Sequence, residues 1–310
     1  MALVEPALTT DAVRARLAGS RRDVAGPVFR ALIFLGLAAA VLVLVVLLAQ
    51  VVSDGWSVLS TRPWDFLNGT LRSRASEAGV FQGLRGSLWI AIFTIVLAFP
   101  IGIGASIYLE EYAPHGWLTR FITINIRNLA GVPSVVYGLL GLAIFVRALD
   151  GVTGGRTVAA AGITLAILVL PIVIITSSEA IRAVPDSLRE AGYGVGATQW
   201  EVIRSQVLPY AAPGIITGTI LSLARALGEA APLILVGAIT GRLAERGSFF
   251  DLGQLDERFT AMPIVITTWV QQSRPGFKEA AAAAIVVLLA VVLLANAVAI
   301  ILRNRFEKRK

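Results

Sequence analysis

The chain has 310 residues, 56% hydrophobic and 15% charged, with a mean hydropathy of +0.77; water-soluble domains carry roughly 25% charge, so the solvent of this protein is a bilayer. Its net charge of +7 comes mostly from arginines set between apolar blocks and at both ends, a topology signal and not a nucleic-acid footprint. With no cysteine and a single histidine, His115, disulfides and thiolate metal sites are excluded and a metalloenzyme has almost nothing to build on.

Residues 1–27 carry Arg14, Arg16, Arg21 and Arg22 between Pro6 and Pro27 and read as a cytoplasmic N-terminal tail. The apolar block at 28–52 is longer than a secretory h-region and lacks a small-x-small cleavage site, so it reads as a retained span. Five more apolar runs follow, near 85–109, 128–147, 157–178, 210–239 and 279–302, each close to the ~20 residues that cross a hydrocarbon core. Six spans put both termini on one side. If that side is the cytoplasm, it holds fifteen of the basic residues and the opposite side eleven, a modest bias in the expected direction. The run FTAMPIVITTWV at 259–270 is too short to cross and reads as interfacial or re-entrant.

The inner connection at 179–209 reads EAIRAVPDSLREAGYGVGATQWEVIRSQVLP. Pro185 suits a first helical position, and Ser187 with Glu190 three residues on predicts a capping box. Gly192, Gly194 and Gly196 offer turn positions and close backbone approach. By composition alone this is equally a solvated loop with a short helix.

Its spacing decides between the two readings. Glu190-Ala191, then Gly196, then Leu208-Pro209 resembles the EAA loop of binding-protein-dependent ABC importer permeases, with Gly192 in place of the second alanine and Gln206 in place of the isoleucine. That resemblance implies an all-α membrane protein of the type I, MetI-like fold, in which the loop is a coupling helix seated on a separate ATPase subunit. The chain has no P-loop of its own, because none of its three lysines, Lys278, Lys308 and Lys310, follows a glycine. ATP is therefore expected to be used by the partner, with no cofactor bound here.

Three further segments, AGVPSVVYGLLGLAIFV (130–146), PGIITGTILSLARALGEAAPLI (213–234) and FTAMPIVITTWVQQSRPGF (259–277), resemble the PstA-type permease subunit of the bacterial phosphate importer. This implies a permease domain over 81–302, preceded by a first span and outer loop at 28–80 and followed by a basic cytoplasmic tail at 303–310. The implied partners are a PstC-type permease, a pair of PstB-type ATPases and an extracytoplasmic PstS-type binding protein. The alternatives are a PstC-type subunit, a permease for another anion such as sulfate or molybdate, an intramembrane enzyme, and a membrane scaffold that signals phosphate status.

Within the second of these segments, Arg225 and Glu229 lie four apart on what reads as one face of a helix near the centre of a span. Ions at that depth cost several kcal/mol unless paired or hydrated, so both should face the bundle interior or an aqueous path. The functional expectation is that Arg225 attracts phosphate while Glu229 holds the guanidinium; the structural alternative is a pair that locks helices together. Tyr137 and Ser134 are candidate path residues that serve equally as interhelical hydrogen-bonding groups. Gly214 with Gly218 and Gly237 with Gly241 are packing pairs. Pro100, Pro133, Pro171 and Pro232 mark possible kinks. An intramembrane enzyme would need a nucleophile-base pair or metal ligands at depth, and Arg225 and Glu229 supply neither.

Overall fold

The computed structural model describes residues 25–114, 116–240 and 257–307. Residues 1–24 of the expected tail, His115, Gly241 and the last three basic-tail residues lie outside that range. Every regular element among the described residues is helical, as a bilayer requires of backbone that must satisfy its own hydrogen bonds. The chain divides into two units, residues 1–50 and 51–310. In the first, the described residues 26–49 are helical, strongly apolar and exposed, a lipid-facing composition all round.

In chain order the elements are α1 (Ala25–Thr61), α2 (Pro63–Asn68), α3 (Phe81–Ile107), α4 (Trp117–Ala130), α5 (Ser134–Gly141), α6 (Asp150–Thr153), α7 (Val158–Arg182), α8 (Asp186–Gly194), α9 (Gln199–Val202), α10 (Leu208–Gly228), α11 (Ala231–Val236), α12 (Met262–Val270) and α13 (Phe277–Glu307). Single π-helical turns extend α3 (Tyr108–Tyr112) and α5 (Leu142–Ala148) and join α9 to α10 (Ile203–Val207).

Among the described residues five helices are long and apolar enough to span, and α4 with α5 makes a sixth only as a pair bent by 98°. The sixfold expectation therefore holds, with the third span broken and not straight. Pro133 sits at the break as the N-cap of α5, and a proline cannot continue the hydrogen-bond ladder of the helix before it. Pro100 and Pro171, in contrast, lie inside continuous helices.

The fifth span also differs from expectation. Helix α10 stops at Gly228, Glu229 is extended (φ −80°, ψ 114°), and the short α11 restarts with Pro232 in its first turn. The ring of Pro232 would clash with the carbonyl of Gly228 in an unbroken helix, which accounts for the interruption.

Within the second unit α7 is central, packed on α3, α10, α5 and α4, while α10 also touches α13. Lipid tails are as apolar as leucine, so close van der Waals fit and not water exclusion must hold these helices. Small residues provide the fit. Gly214 and Gly218 of α10 lie directly against Ala180 and Thr176 of α7, confirming the expected packing role of that pair. At one end, where α1 finishes and α13 begins, Phe66, Met262, Trp269, Phe277 and the alanines Ala280, Ala281, Ala283 and Ala284 form a second core; α12 is buried there through Met262–Val265 and Trp269, consistent with a non-crossing segment. A third apolar cluster at the opposite end joins Ile181, Val184, Val202 and Val207 to Ile103 and Ile107 of α3.

Candidate functional site

Two sites emerge, one at each kind of helix interruption. The first is the α8 loop. Helix α7 runs on to Arg182, and Pro185 is the N-cap of α8 and not its first residue. Ser187 therefore already lies inside the helix, and the expected capping box with Glu190 does not form; α8 has no side-chain cap. The capping box lies one element later, where Thr198 caps α9 and Glu201 answers it, the Thr198 N–H donating to Glu201 Oε2 at 2.7 Å.

Glycine plays two separate parts in this loop. Gly192 is buried inside α8, where a Cβ would stand 2.8 Å from a methyl of Val202; this close approach explains glycine where related loops have alanine. Gly196, at φ +80°, is the left-handed residue that turns the chain between α8 and α9. Glu190 and Ala191 are exposed, as are Tyr193, Val195 and Trp200, with Val195 84% accessible. Leu208 packs into the apolar cluster beneath the loop. Pro209 follows the π turn, so its missing N–H falls where the widened turn hands over to α10.

Sequence reasoning missed what holds this loop in place. The π turn at the end of α3 presents two consecutive glutamates. Arg182 makes a bidentate pair with Glu110, Nη2 to Oε1 at 2.8 Å and Nε to Oε2 at 3.2 Å. Arg189, on α8, donates from Nη2 and Nε to Glu111 Oε1 at 2.9 and 3.2 Å. Its Nη1 also donates to the Val184 carbonyl at 2.7 Å, and its Nη2 to the Ile181 carbonyl at 3.1 Å. The Glu111 side chain is only 6% exposed, and its hydrogen bonds raise the Arg189 pKa further above the ordinary arginine value. Gln199 adds a bond from Nε2 to the Glu111 carbonyl at 2.6 Å. A Glu-Glu pair closing an apolar span, with arginines flanking the loop, was the available signal; the partners are 72 and 78 residues apart.

The second site lies where the two broken helices meet. Pro232, just past the α10 break, packs on Gly138 of α5, where a Cβ would stand 2.7 Å from the proline Cα. Arg225 in the last turn of α10 and Glu229 in the break form an ion pair, Nε to Oε1 at 3.3 Å. They are therefore not on one helical face at mid-helix; the pair bridges a helix end and an extended residue. The Arg225 side chain is 55% exposed and Glu229 18%, so among the described residues most of the guanidinium's five N–H groups are left without an ion-pair partner. Tyr137 is buried and donates its hydroxyl to the Leu129 carbonyl at 2.8 Å, a bond that fixes the α4/α5 bend. Ser134 opens α5 and is half-buried.

The profile of the family described as binding-protein-dependent transport system inner membrane component matches residues 98–310. The chain belongs to that family. Its members are membrane components of transport systems, so the permease role replaces the intramembrane enzyme. The phosphate transport system permease protein PstA 1 of Mycobacterium tuberculosis is 38% identical over 220 residues, 70% of this chain and 71% of the relative. A PstC permease of Mesorhizobium japonicum is 34% identical over 62% of this chain and 66% of its own length. In fold, the chain matches a bacterial ABC transporter involved in import of the acidic polysaccharide alginate, with a TM-score of 0.59 at 16% identity, over 86% of this chain and 94% of the other. The type I importer permease fold is therefore present.

Proposed function

We propose that the chain is the PstA-type permease subunit of an ATP-driven importer that moves inorganic phosphate across the bacterial inner membrane. The observation that carries the reading is the similarity, over most of the chain, to permeases named for phosphate transport, joined to a half-exposed guanidinium at the meeting of two broken helices. Phosphate oxyanions take charge-assisted, planar hydrogen bonds that arginine matches well. In this reading Arg225 meets the anion, Glu229 holds the guanidinium between transport events, and Ser134 and Tyr137 shape the path beside it.

At the other site, the exposed Glu190, Ala191, Tyr193, Val195 and Trp200 of the α8 region seat on a separate PstB-type ATPase, which binds and hydrolyses the ATP; this chain binds no cofactor. Gly196, Leu208 and Pro209 set the loop's turn and its anchorage. One such loop engages one ATPase, so a pair of ATPases calls for a second, PstC-type permease. The loop then faces the cytoplasm with both termini, in line with the basic-residue bias, and an extracytoplasmic PstS-type binding protein delivers phosphate from the other side.

A PstC-type role is the second reading, favoured by relatives of that name; the FTAMP segment opening α12 and the longer match to PstA relatives favour the first. Uptake of labelled phosphate at micromolar concentration, in cells deleted for the gene and in the same cells carrying it on a plasmid, tests the assignment. Loss and restoration of phosphate uptake is expected. Unchanged phosphate uptake, with sulfate or molybdate uptake altered instead, would redirect it to another anion.

A further inference from the structure

The family resemblance accounts for an exposed loop helix but not for the network beneath it. Three connections converge on the five residues of the π turn that ends α3. Arg182, from the end of α7, pairs with Glu110. Arg189, from α8, pairs with Glu111. Gln199, from the start of α9, bonds the Glu111 carbonyl. The π geometry makes this possible: its i→i+5 bond, from the Ala113 N–H to the Tyr108 carbonyl at 2.8 Å, widens the turn where the two adjacent glutamates meet partners on different elements. Such turns commonly mark functional sites.

The network is also stiff. Arg189 reaches acceptors on α3, on the last turn of α7, on the α7–α8 turn and, through Asp186 at 3.1 Å, on its own helix. An arginine fork fixed by several acceptors resists rotation in a way a single exposed pair does not. Under it, Ile103 and Ile107 of α3 pack with Ile181, Leu188 and Val202, so the polar bonds are laid over a continuous apolar contact.

We propose that Glu110, Glu111, Arg182, Arg189 and Gln199 form a rigid joint that makes α8 and the end of α3 move as one body. Displacement of α8 is then delivered to α3 directly, and not only through α7 and α10, to which α8 is joined by the chain. Glu111 and Arg189 are the principal positioning residues, since their side chains are 6% and 18% exposed, whereas Arg182 in the other pair is 57% exposed. The proposal rests on the reading of α8 as the ATPase-facing element.

The chain has no native cysteine, so spin labels can be placed singly and in pairs. Tyr112→Cys and Ser187→Cys, both at exposed positions on the two sides of the joint, are labelled in the complete reconstituted complex with its ATPases. Double electron-electron resonance then compares the nucleotide-free and ATP-bound states. The joint predicts an unchanged Tyr112–Ser187 distance while the distance from position 187 to a label on the ATPase changes. A change in the 112–187 distance approaching a helical turn, ~5 Å, overturns it. If no ATPase label comes near position 187 in either state, it is the docking reading that fails.

A second measurement uses the pair Glu111→Cys and Arg189→Cys in the complex. Unbridged, it should hydrolyse ATP at near-native rate but import about tenfold less phosphate per ATP. A bifunctional thiol reagent as long as the pair it replaces should restore at least half of that loss. Native coupling without the bridge, or no recovery with it, contradicts the joint. Because the readout is coupling relative to ATP turnover, a native complex that imports no phosphate counts against the substrate assignment and not the joint.

Discussion

Arg189 and Arg225 each face a glutamate, yet the two pairs are built in opposite ways. Arg189 is 18% exposed, reaches two carboxylates and two main-chain carbonyls, and closes on a glutamate that is almost fully buried. Arg225 is 55% exposed and meets one carboxylate oxygen at 3.3 Å across a helix break. The first arginine has most of its donors committed; among the described residues the second has most of them open. A guanidinium with saturated donors fixes geometry, and one with open donors is equipped to exchange partners with an anion. The same residue pair thus serves as a fastening at the α8 end and as a contact point where the broken helices meet.

Substitutions should separate the two, beginning with the largest effect. Arg225→Ala should reduce phosphate uptake by about 100-fold, the scale of losing one or two charge-assisted hydrogen bonds, while changing stability by less than about 1 kcal/mol because the pair is a single 3.3 Å contact to a half-exposed guanidinium; uptake and thermal unfolding of the purified complex check both halves. Glu111→Ala should act on stability as well as coupling, destabilising the chain by about 3 kcal/mol because Arg189 loses the buried carboxylate that takes two of its donors, seen as a lowered Tm, and lowering phosphate import per ATP. Arg225→Lys should retain about a tenth of native uptake, since an ammonium keeps the charge but not the fork. Gly196→Ala, at φ +80°, should cost about 1 kcal/mol through left-handed strain, read as a small Tm decrease. Glu110→Gln should be the mildest, within about 1 kcal/mol, because its partner Arg182 is 57% exposed. Equal effects of Glu110→Gln and Glu111→Ala would erase the distinction between the two halves of the joint.

Hydropathy alone locates the spans, because a bilayer demands long apolar helices and leaves few other solutions. It does not report direction within a span. The 98° bend between α4 and α5 and the interruption after Gly228 both fall within runs that hydropathy reads as single spans, and Pro133 and Pro232 are the local residues that point to them. Arg225 and Glu229 were recognisable as intramembrane charges, but their i, i+4 spacing suggested a continuous helical face where the chain is extended at Glu229. In the α8 loop, Gly196 and Leu208-Pro209 were legible as spacing, since the left-handed turn and the junction after the π turn are local geometry. The capping box was misplaced because α8 starts at Asp186, two residues earlier than a Ser187 cap would require, which puts Ser187 inside the helix. Glu110 and Glu111 were invisible for a different reason: an acidic pair at a span end reads as a solvated terminus, and nothing local connects it to arginines more than seventy residues away.

The most direct test of the account is labelled phosphate uptake in deletion cells carrying the native gene, Arg225→Lys or Arg225→Ala, normalised to the amount of assembled complex. Full restoration by the native gene, about a tenth by Arg225→Lys and almost none by Arg225→Ala, with complex assembly equal in all three, is the predicted result. Uptake by Arg225→Ala equal to the native gene would contradict it, leaving Arg225 and Glu229 as a structural pair.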